Sequence, residues 1–221
     1  PSERRSKIYE QIGIKHCISE EETIEKCGLE KDDIQILRVS SLLEYKALNE
    51  PVEIPCDASA YVIMTSGSTG VPKGVEIAHR SAMNTILDLN EKYHVTERDC
   101  LMTVSAVDFD LSVYDMFGML SVGGTIISLA EENYKNPDEW MRLMAEYKVT
   151  MWNSVPILFN MLVTMAEGRE EKLDIRTAFL SGDWIPIDLP GRFYAISDQD
   201  SLIVAMGGAT EASIWSNYLE V

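Results

Sequence analysis

Apolar, strand-like segments alternate with amphipathic helices from Ala60 onward, and this alternation constrains the fold more than any other feature of the chain. The strand-like segments are AYVIMT, DCLMTVS, GTIISLA, VTMWNSV, RTAFLSGD and SLIVAMGG, and they are apolar almost throughout rather than at every second residue. Strands of this kind, separated by helices, pack in a parallel sheet that is buried on both faces. The sequence therefore predicts an α/β fold in which helices sandwich a mostly parallel sheet.

The helices between these strands are predicted from their apolar spacing. In NPDEWMRLMAEYKV, the residues Trp140, Leu143, Met144 and Tyr147 recur at the spacing of one helical face. HRSAMNTILDLNEKY, LSVYDMFGMLS and PILFNMLVTMAEG are predicted to be helical as well. Before residue 60, we expect a helix over 2–13, short strands in KHCIS and DIQILRVS, and a loop over 48–59.

Composition narrows the range of partners. The 221 residues carry a formal net charge of −17, which argues against nucleic acid and anionic membranes as ligands. No apolar run reaches the roughly 18 residues of a membrane span, and no secretory signal is recognisable, so we expect a cytoplasmic protein. The four cysteines form no C-x-x-C pair and the three histidines are scattered, so the sequence predicts no Cys or His metal site.

The ends of the predicted strands are where a ligand is expected. In an open parallel sheet, ligands bind beyond the carboxyl ends of the strands. Five such ends carry small or polar residues, namely the loop over residues 65–74 and the segments VDFD, NSV, SGD and GGATE. We therefore expect the functional residues to lie in these five segments.

The loop TSGSTGVPKG suits a phosphate group. Its hydroxyl side chains and close-approaching glycine backbone offer donors to an anion, and one lysine adds a positive charge. It is not the G-x-x-x-x-G-K-[ST] loop of P-loop nucleotide triphosphatases, because Gly74 follows Lys73 where a Ser or Thr would hold Mg²⁺. The predicted phosphate-binding residues are Thr65, Ser66, Gly67, Ser68, Thr69, Gly70 and Lys73.

This loop, with the AHRS that follows it, resembles the phosphate-binding signature of the adenylate-forming superfamily. That superfamily includes acyl-CoA synthetases, luciferases and the adenylation domains of nonribosomal peptide synthetases. Two further segments occur in the expected order: FDLSVYDMFG is similar to a motif of the amino-acid pocket, and GGATEASIW to a Gly-Pro-Thr-Glu motif. The chain is therefore identified as a member of the adenylation domains of nonribosomal peptide synthetases, and its pocket residues, given below, resemble those of the cysteine-activating subgroup.

The resemblance covers nearly the whole chain but only part of such a domain. Residues 1–221 correspond to the central part of the large N-terminal subdomain, with the phosphate loop at 65–74 and the amino-acid pocket at 109–215. The family's ribose-binding Tyr-x-Thr-Gly-Asp motif, its C-terminal lid with a catalytic lysine, and an N-terminal segment are expected outside this stretch. On its own, the chain is therefore expected to be inactive.

The resemblance implies that the chain helps to activate an amino acid with ATP and Mg²⁺ as aminoacyl-AMP, releasing pyrophosphate. The phosphate loop would hold the β- and γ-phosphates, Thr210 would contact the α-phosphate, and Glu211 would bind Mg²⁺. The aminoacyl group would then pass to the phosphopantetheine thiol of a carrier-protein domain, beside condensation or cyclization domains of the same synthetase.

Asp110 is the candidate ligand for the substrate's α-ammonium group, since a carboxylate at a strand end needs a partner. A helix N-cap is the alternative role for this residue. The pocket set reads D-L-Y-N-F-S-M-I-W, which is similar to that of cysteine-activating domains in synthetases that make thiazoline rings. With Phe109 included, the predicted substrate-binding residues are Phe109, Asp110, Leu111, Tyr114, Asn153, Phe179, Ser181, Met206, Ile214 and Trp215.

The sequence departs from the family pattern at the expected adenine site. Gly207 occupies the place of an aromatic residue that stacks on adenine, and Ala209 replaces the proline of the motif. The adenine platform must then come from other residues or be weaker. The residues expected to line the adenine pocket are Gly182, Asp183, Gly207, Gly208 and Ala209.

Other functions remain open at this stage. An acyl- or aryl-CoA ligase of the same superfamily would share the phosphate loop, but its substrate has no ammonium group for Asp110 to bind. A non-catalytic binding fragment would hold ATP or substrate without turnover. A nucleotide-hydrolysing P-loop switch is disfavoured by the Lys73-Gly74 pair.

Overall fold

The computed structural model describes residues 2–31, 34–65 and 72–221, with the side chains of residues 2–4 and 31 outside that description. The chain divides into two compact units, one formed by residues 1–54 and 66–74 and the other by residues 55–65 and 75–221. Within the described ranges, none of the helices is both long and apolar enough to cross a membrane.

Among its described residues, the first unit contains a short parallel pair of strands, three α-helices and a 3₁₀ turn at Leu29–Lys31. Its elements in chain order are α1 (Ser2–Ile12), β1 (His16–Ser19), α2 (Glu21–Cys27), β2 (Gln35–Arg38) and α3 (Val39–Leu42), with β1 pairing β2. The acidic segment before β2 forms α2, which buries Ile24 and ends at Gly28 in the left-handed conformation. Arg38 binds Glu21 and Glu30 at 2.9 and 2.6 Å and thereby ties α2 to β2.

The remaining elements alternate along the chain much as predicted. They are β3 (Ser59–Thr65), β4 (Lys73–Ala78), α4 (His79–Lys92), β5 (Cys100–Thr103), α5 (Leu111–Val113), α6 (Met119–Ser121), β6 (Thr125–Ser128), α7 (Pro137–Tyr147), β7 (Met151–Ser154), α8 (Pro156–Arg169), β8 (Thr177–Leu180), α9 (Leu189–Ala195), β9 (Leu202–Gly207) and β10 (Asn217–Glu220). A π-helical stretch, Tyr114–Gly118, joins α5 to α6. A 3₁₀ turn, Thr210–Ala212, follows β9.

Six of these strands form one sheet in the order β10-β9-β8-β7-β5-β6. All neighbours are parallel except β10, which runs antiparallel to β9. One face buries Trp152 with Trp140, Phe159 and Phe193 of α7, α8 and α9. The other face packs against α4 and residues 111–121. The predicted fold class, a mostly parallel sheet sandwiched by helices, is confirmed.

The structure corrects the prediction for the segment AYVIMT. This segment forms most of β3, which pairs with β4 in a separate two-stranded sheet instead of joining the parallel strands. Its burial explains the difference, because Ile63 is buried whereas Val62 is 40% exposed, as in a strand with one solvated face. Lys73 and Gly74, predicted to lie in the loop, are the first residues of β4.

Several short elements were not predicted. The sequence analysis missed α2, α3, α9, β4 and β10, and it took SLIVAMGG as the last strand. Every residue of β10 is exposed, so the strand has no apolar run to reveal it. The α9 segment begins with Leu189, Pro190 and Gly191, and proline and glycine ordinarily indicate a loop.

A single ion pair joins the amino ends of three parallel strands. Asp99, Thr150 and Arg176 each precede a strand, namely β5, β7 and β8. Arg176 donates Nε–H and Nη2–H to the two Asp99 carboxylate oxygens at 2.7 and 2.8 Å, and Thr150 Oγ1–H donates to Asp99 Oδ1 at 2.8 Å. Burial alone would raise the pKa of Asp99, but the Arg176, Thr96 and Thr150 hydrogen bonds outweigh it, so the pKa lies below its ordinary value.

We expect Arg176→Ala to lower the free energy of unfolding by about 3 kcal/mol, because it leaves the buried Asp99 carboxylate unpaired. Urea or thermal unfolding of the variant and the parent measures this difference. Arg142→Ala is a matched control, since Arg142 pairs with Glu139 on an exposed face of α7 and its loss should cost less than about 1 kcal/mol. Equal losses in the two variants would contradict a special role for the Asp99–Arg176 pair.

Candidate active site

A cavity of about 200 Å³ opens at the carboxyl ends of β8 and β9. It lies between the segment that leads into α5 and the chain that follows β9. Every residue that lines it belongs to the set predicted from the sequence. These residues are Phe109, Asp110, Leu111, Ser181, Gly182, Gly208, Ala209, Thr210, Ile214 and Trp215.

Asp110 is the charged group in the wall of this cavity, and its side chain is 96% buried, with 4% exposed. Burial raises the pKa of its carboxyl group, and the nearby charge of Glu211 raises it further. The polar Thr210 hydroxyl and the Leu111 N–H lower the pKa and offset part of this rise. The side chain makes no N-cap hydrogen bond to α5. Asp110 is thus a buried carboxylate that a cationic ligand group would stabilise.

A cluster of three aromatic rings, here called the floor, lies beneath the cavity, and Trp215 is the member of this cluster that lines it. The Tyr114 ring lies edge-on to Phe179 and to Trp215, with centroid distances of 5.4 Å in both cases. Trp215 Nε1–H donates to Ser181 Oγ at 3.0 Å, so the indole and the hydroxyl hold each other at the cavity wall. Tyr114 donates its hydroxyl hydrogen to Asn90 Oδ1 at 2.8 Å, which fixes the ring against α4. The floor is therefore rigid and leaves little room for a large side chain.

Four of the predicted pocket residues lie behind the cavity wall instead of lining it. Tyr114, Asn153 and Phe179 are fully buried, and Met206 is nearly so. Tyr114 and Phe179 pack behind Trp215. Phe179 lies beside Asn153 in the register of β8 and β7. These residues shape the pocket from beneath the surface that a ligand would touch.

Beneath the pocket, the predicted residue Asn153 pairs with Asp115, a buried carboxyl group that was not predicted from the sequence. Asn153 Nδ2–H donates to Asp115 Oδ1 at 2.7 Å and to the Leu111 carbonyl oxygen at 3.2 Å. Burial raises the pKa of Asp115 to about 8, and the hydrogen bond from Asn153 offsets only part of that rise. The carboxyl group therefore keeps its proton at neutral pH. The available signal was a lone carboxylate four residues after Leu111 in an otherwise apolar helix.

The glycines at the expected adenine site allow two chain segments to approach closely. A Cβ atom on Gly208 would lie 2.8 Å from Trp215 Cα, and one on Gly207 would lie 2.5 Å from Asn217 Oδ1. Gly182 has φ +81°, a conformation that favours glycine. An aromatic side chain at position 207 would displace Asn217, which gives the departure from the family pattern a structural reason. Asp183 is exposed and accepts the Trp184 N–H at 2.8 Å.

The predicted phosphate-binding residues fall only partly within the described structure. Thr65 ends β3 and Lys73 begins β4, whereas Ser66, Gly67, Ser68, Thr69 and Gly70 lie outside the described residues. Glu211 lies in the 3₁₀ turn Thr210–Ala212 and is exposed, so its carboxylate is accessible to a metal ion.

The AMP-binding enzyme family model matches residues 1–221, and the chain belongs to this family. It is similar to the Anguibactin system regulator of Vibrio anguillarum, with 43% identity over 225 residues covering 100% of the chain and 21% of that protein. It is also 41% identical to Pyochelin synthetase PchE of Pseudomonas aeruginosa over 225 residues, or 100% of the chain and 15% of the synthetase. The chain thus spans about a fifth or less of the length of these relatives.

The fold matches solved structures of a nonribosomal peptide synthetase. The crystal structure of FmoA3 superposes with a TM-score of 0.91 and 35% identity, covering 99% of this chain and 23% of that one. Its alpha-methyl-L-serine-AMP bound form also superposes with a TM-score of 0.91, at 34% identity, covering 100% of this chain and 25% of that one. The AMPPNP bound form superposes with a TM-score of 0.88 at 36% identity, covering 98% of this chain and 23% of that one. The chain therefore has the fold of the corresponding part of such a synthetase.

The buried Asp115 predicts a specific pH dependence of stability. The folded chain keeps the Asp115 proton up to about pH 8, whereas the unfolded chain loses it near pH 4, so folding takes up a proton between these values. This group therefore destabilises the fold as the pH rises through that window, by up to ~1.4 kcal/mol per pH unit. Asp115→Asn removes the effect, and we expect the variant to gain stability relative to the parent between pH 5 and pH 7.

Unfolding midpoints of the parent and Asp115→Asn at pH 5, 6 and 7 measure this difference. If the difference in unfolding midpoint between the two proteins stays constant with pH, the pKa of Asp115 in the folded chain is not raised.

Proposed function

We propose that this chain is part of an adenylation domain that activates an amino acid with ATP, forms aminoacyl-AMP and releases pyrophosphate. The observation that carries the proposal is Asp110, a buried carboxylate in the wall of a small cavity that Thr210 also lines. An amino acid presents an ammonium group, which would neutralise this carboxylate. Membership of the AMP-binding enzyme family supports the reaction class.

The reaction joins two anions, so positive charge and positioning must carry the catalysis. We propose that residues 65–73 bind the β- and γ-phosphates, that Thr210 contacts the α-phosphate and that Glu211 binds Mg²⁺. The exposed carboxylate of Glu211 fits this metal, because Mg²⁺ prefers oxygen ligands beside phosphate groups. When bound, the ion would offset the charge of the polyphosphate.

For the adenine group, we propose a site formed by Gly182, Asp183, Gly207, Gly208 and Ala209. Three of these residues, Gly182, Gly208 and Ala209, line the same cavity as Asp110. Their small size would let the base approach the backbone. This arrangement would bring the ribose-phosphate end of the nucleotide toward Thr210.

We propose L-cysteine as the substrate. The cavity of about 200 Å³ and its aromatic floor suit a small side chain. The Ser181 oxygen accepts the Trp215 indole N–H, so its own hydrogen is available to a small polar group of the substrate. The FmoA3 structure bound to alpha-methyl-L-serine-AMP supports a substrate of about this size. Serine is the closest competitor, since the two amino acids differ in one atom.

The product would be used within a larger protein. We propose that the aminoacyl group passes to the phosphopantetheine thiol of a carrier-protein domain, beside condensation or cyclization domains, in a cytoplasmic synthetase. The relatives that support this are themselves far longer than the chain, which spans 15% of Pyochelin synthetase PchE. We therefore expect the 221 residues to need the rest of their domain for turnover.

Amino-acid-dependent ATP–pyrophosphate exchange by the full-length protein tests the reaction. All twenty amino acids are compared, and we expect the strongest exchange with L-cysteine. Asp110→Asn should lower the exchange efficiency by about 10- to 100-fold, because the substrate ammonium loses a charged partner. Lys73→Ala should weaken exchange by raising the KM for ATP.

Asp108→Asn is the matched control, because Asp108 is exposed two residues before Asp110 and the substitution should leave exchange within about twofold. Exchange with a fatty or aryl acid, but with no amino acid, would instead assign the protein to the CoA-ligase branch. Strongest exchange with an amino acid other than cysteine would support the proposed reaction and contradict the proposed substrate.

The substrate proposal has a separate test at Ser181. Ser181→Ala removes a hydroxyl that faces the cavity and should reduce the preference for L-cysteine over L-2-aminobutyrate by about two- to tenfold. The ratio of exchange efficiencies for the two amino acids measures the preference within one protein preparation, which cancels differences in active fraction. An unchanged ratio would show that Ser181 does not contact the substrate side chain.

A further inference from the structure

Next to the cavity, two consecutive residues have positive backbone φ angles, which are uncommon for residues other than glycine. Ser213 and Ile214 have φ values of +65° and +74°. The Trp215 N–H donates to the Ser213 carbonyl oxygen at 3.0 Å, so a γ-turn is centred on Ile214. A γ-turn with positive φ is the strained form, and a β-branched residue is the least suited to it. This turn presents the Ile214 and Trp215 side chains to the cavity.

Such a turn persists only where its surroundings hold it. On one side, the Thr85 hydroxyl of α4 donates to the same Ser213 carbonyl oxygen at 3.0 Å. This bond joins residues that are 128 positions apart in the sequence. Thr85 thus holds the carbonyl group on which the γ-turn closes.

On the other side, the turn packs directly on the backbone of Gly208, which has no side chain to hold it away. The position of a Cβ atom on Gly208 is 2.9 Å from the Ile214 carbonyl oxygen and 2.8 Å from Trp215 Cα. Ser216 N–H also donates to the Gly207 carbonyl oxygen at 2.9 Å, which ties the chain after the turn to the end of β9. The turn is therefore clamped between α4 and β9.

We propose that Thr85 is a positioning residue for the substrate pocket, acting through the strained turn at Ser213 and Ile214. This inference rests on the proposed amino-acid adenylation, and it adds a determinant that lies outside the cavity wall. Without the Thr85 hydroxyl, the turn relaxes toward negative φ, and Ile214 and Trp215 shift away from the substrate side chain. Binding of ATP is affected far less, because the Thr85 hydroxyl donates to Ser213 and to none of the residues proposed for the nucleotide.

The test is amino-acid-dependent ATP–pyrophosphate exchange by Thr85→Val in the full-length protein. Valine keeps the shape of threonine and removes the donor. We expect the KM for the amino acid to rise by about two- to tenfold, the effect of losing one hydrogen bond, with the KM for ATP within about twofold of the parent. Thr85→Ser keeps the hydroxyl and should restore the parent value.

A second variant, Thr85→Ala, removes the same donor and should produce the same selective rise in the amino-acid KM. The inference is overturned if the amino-acid KM of Thr85→Val equals that of the parent, if both KM values rise together, or if Thr85→Ser fails to rescue. Absence of amino-acid-dependent exchange in the parent protein would overturn the proposed function itself, and this outcome is distinct from all of these.

Discussion

The bidentate ion pair between Asp99 and Arg176 sets the geometry on which the site depends. Together with Thr150, it fixes the starting points of β5, β7 and β8 at one edge of the sheet. Because the three strands are parallel and short, fixing their amino ends also fixes where their carboxyl ends emerge. The cavity wall begins at those ends, with Ser181 immediately after β8. The charged pair and the pocket thus lie at opposite ends of the same strands, which separates stability from ligand contact.

The pocket is small because its floor is built from packed aromatic rings with fixed polar partners. The indole of Trp215 is held by Ser181, and the Tyr114 ring is held by Asn90 of α4. Neither ring can swing aside without breaking a buried hydrogen bond, so enlarging the pocket would cost free energy that a larger substrate must supply. In the proposed function, selection by size is a property of the floor, and Asp110 in the wall selects for a cationic group. Together, these two requirements support the proposal of a small amino-acid substrate.

The sequence was sufficient to predict the sheet because its strands are apolar on both faces, and that pattern has few other solutions. It also located cavity residues such as Asp110, Ser181 and Thr210, since a parallel sheet brings its strand ends to one edge. Leu111, Ile214 and Trp215 were predicted from the family resemblance instead. The prediction from the sequence was wrong or incomplete for β3 and β10, where burial is one-sided or absent. In such strands, the periodicity of apolar residues carries little information about which strands pair. The sequence could not distinguish Asn153 and Phe179, which lie beneath the wall, from Ser181, which lines it. That difference depends on side-chain depth in the packed fold, and motif spacing does not encode depth.

The chain after β9 illustrates why the glycines at 207 and 208 matter as a pair. Gly208 allows Trp215 to pack directly on the end of β9, and Gly207 allows Asn217 to start β10 beside it. A side chain at position 208 would press on Trp215 and on the Ile214 carbonyl oxygen, whereas one at position 207 would displace the Asn217 side chain. The tight, strained turn at Ile214 therefore depends on the absence of a side chain at Gly208. The departure from the family pattern at position 207 lies next to this contact, so two adjacent residues without side chains bring the chain after the turn back onto the end of β9.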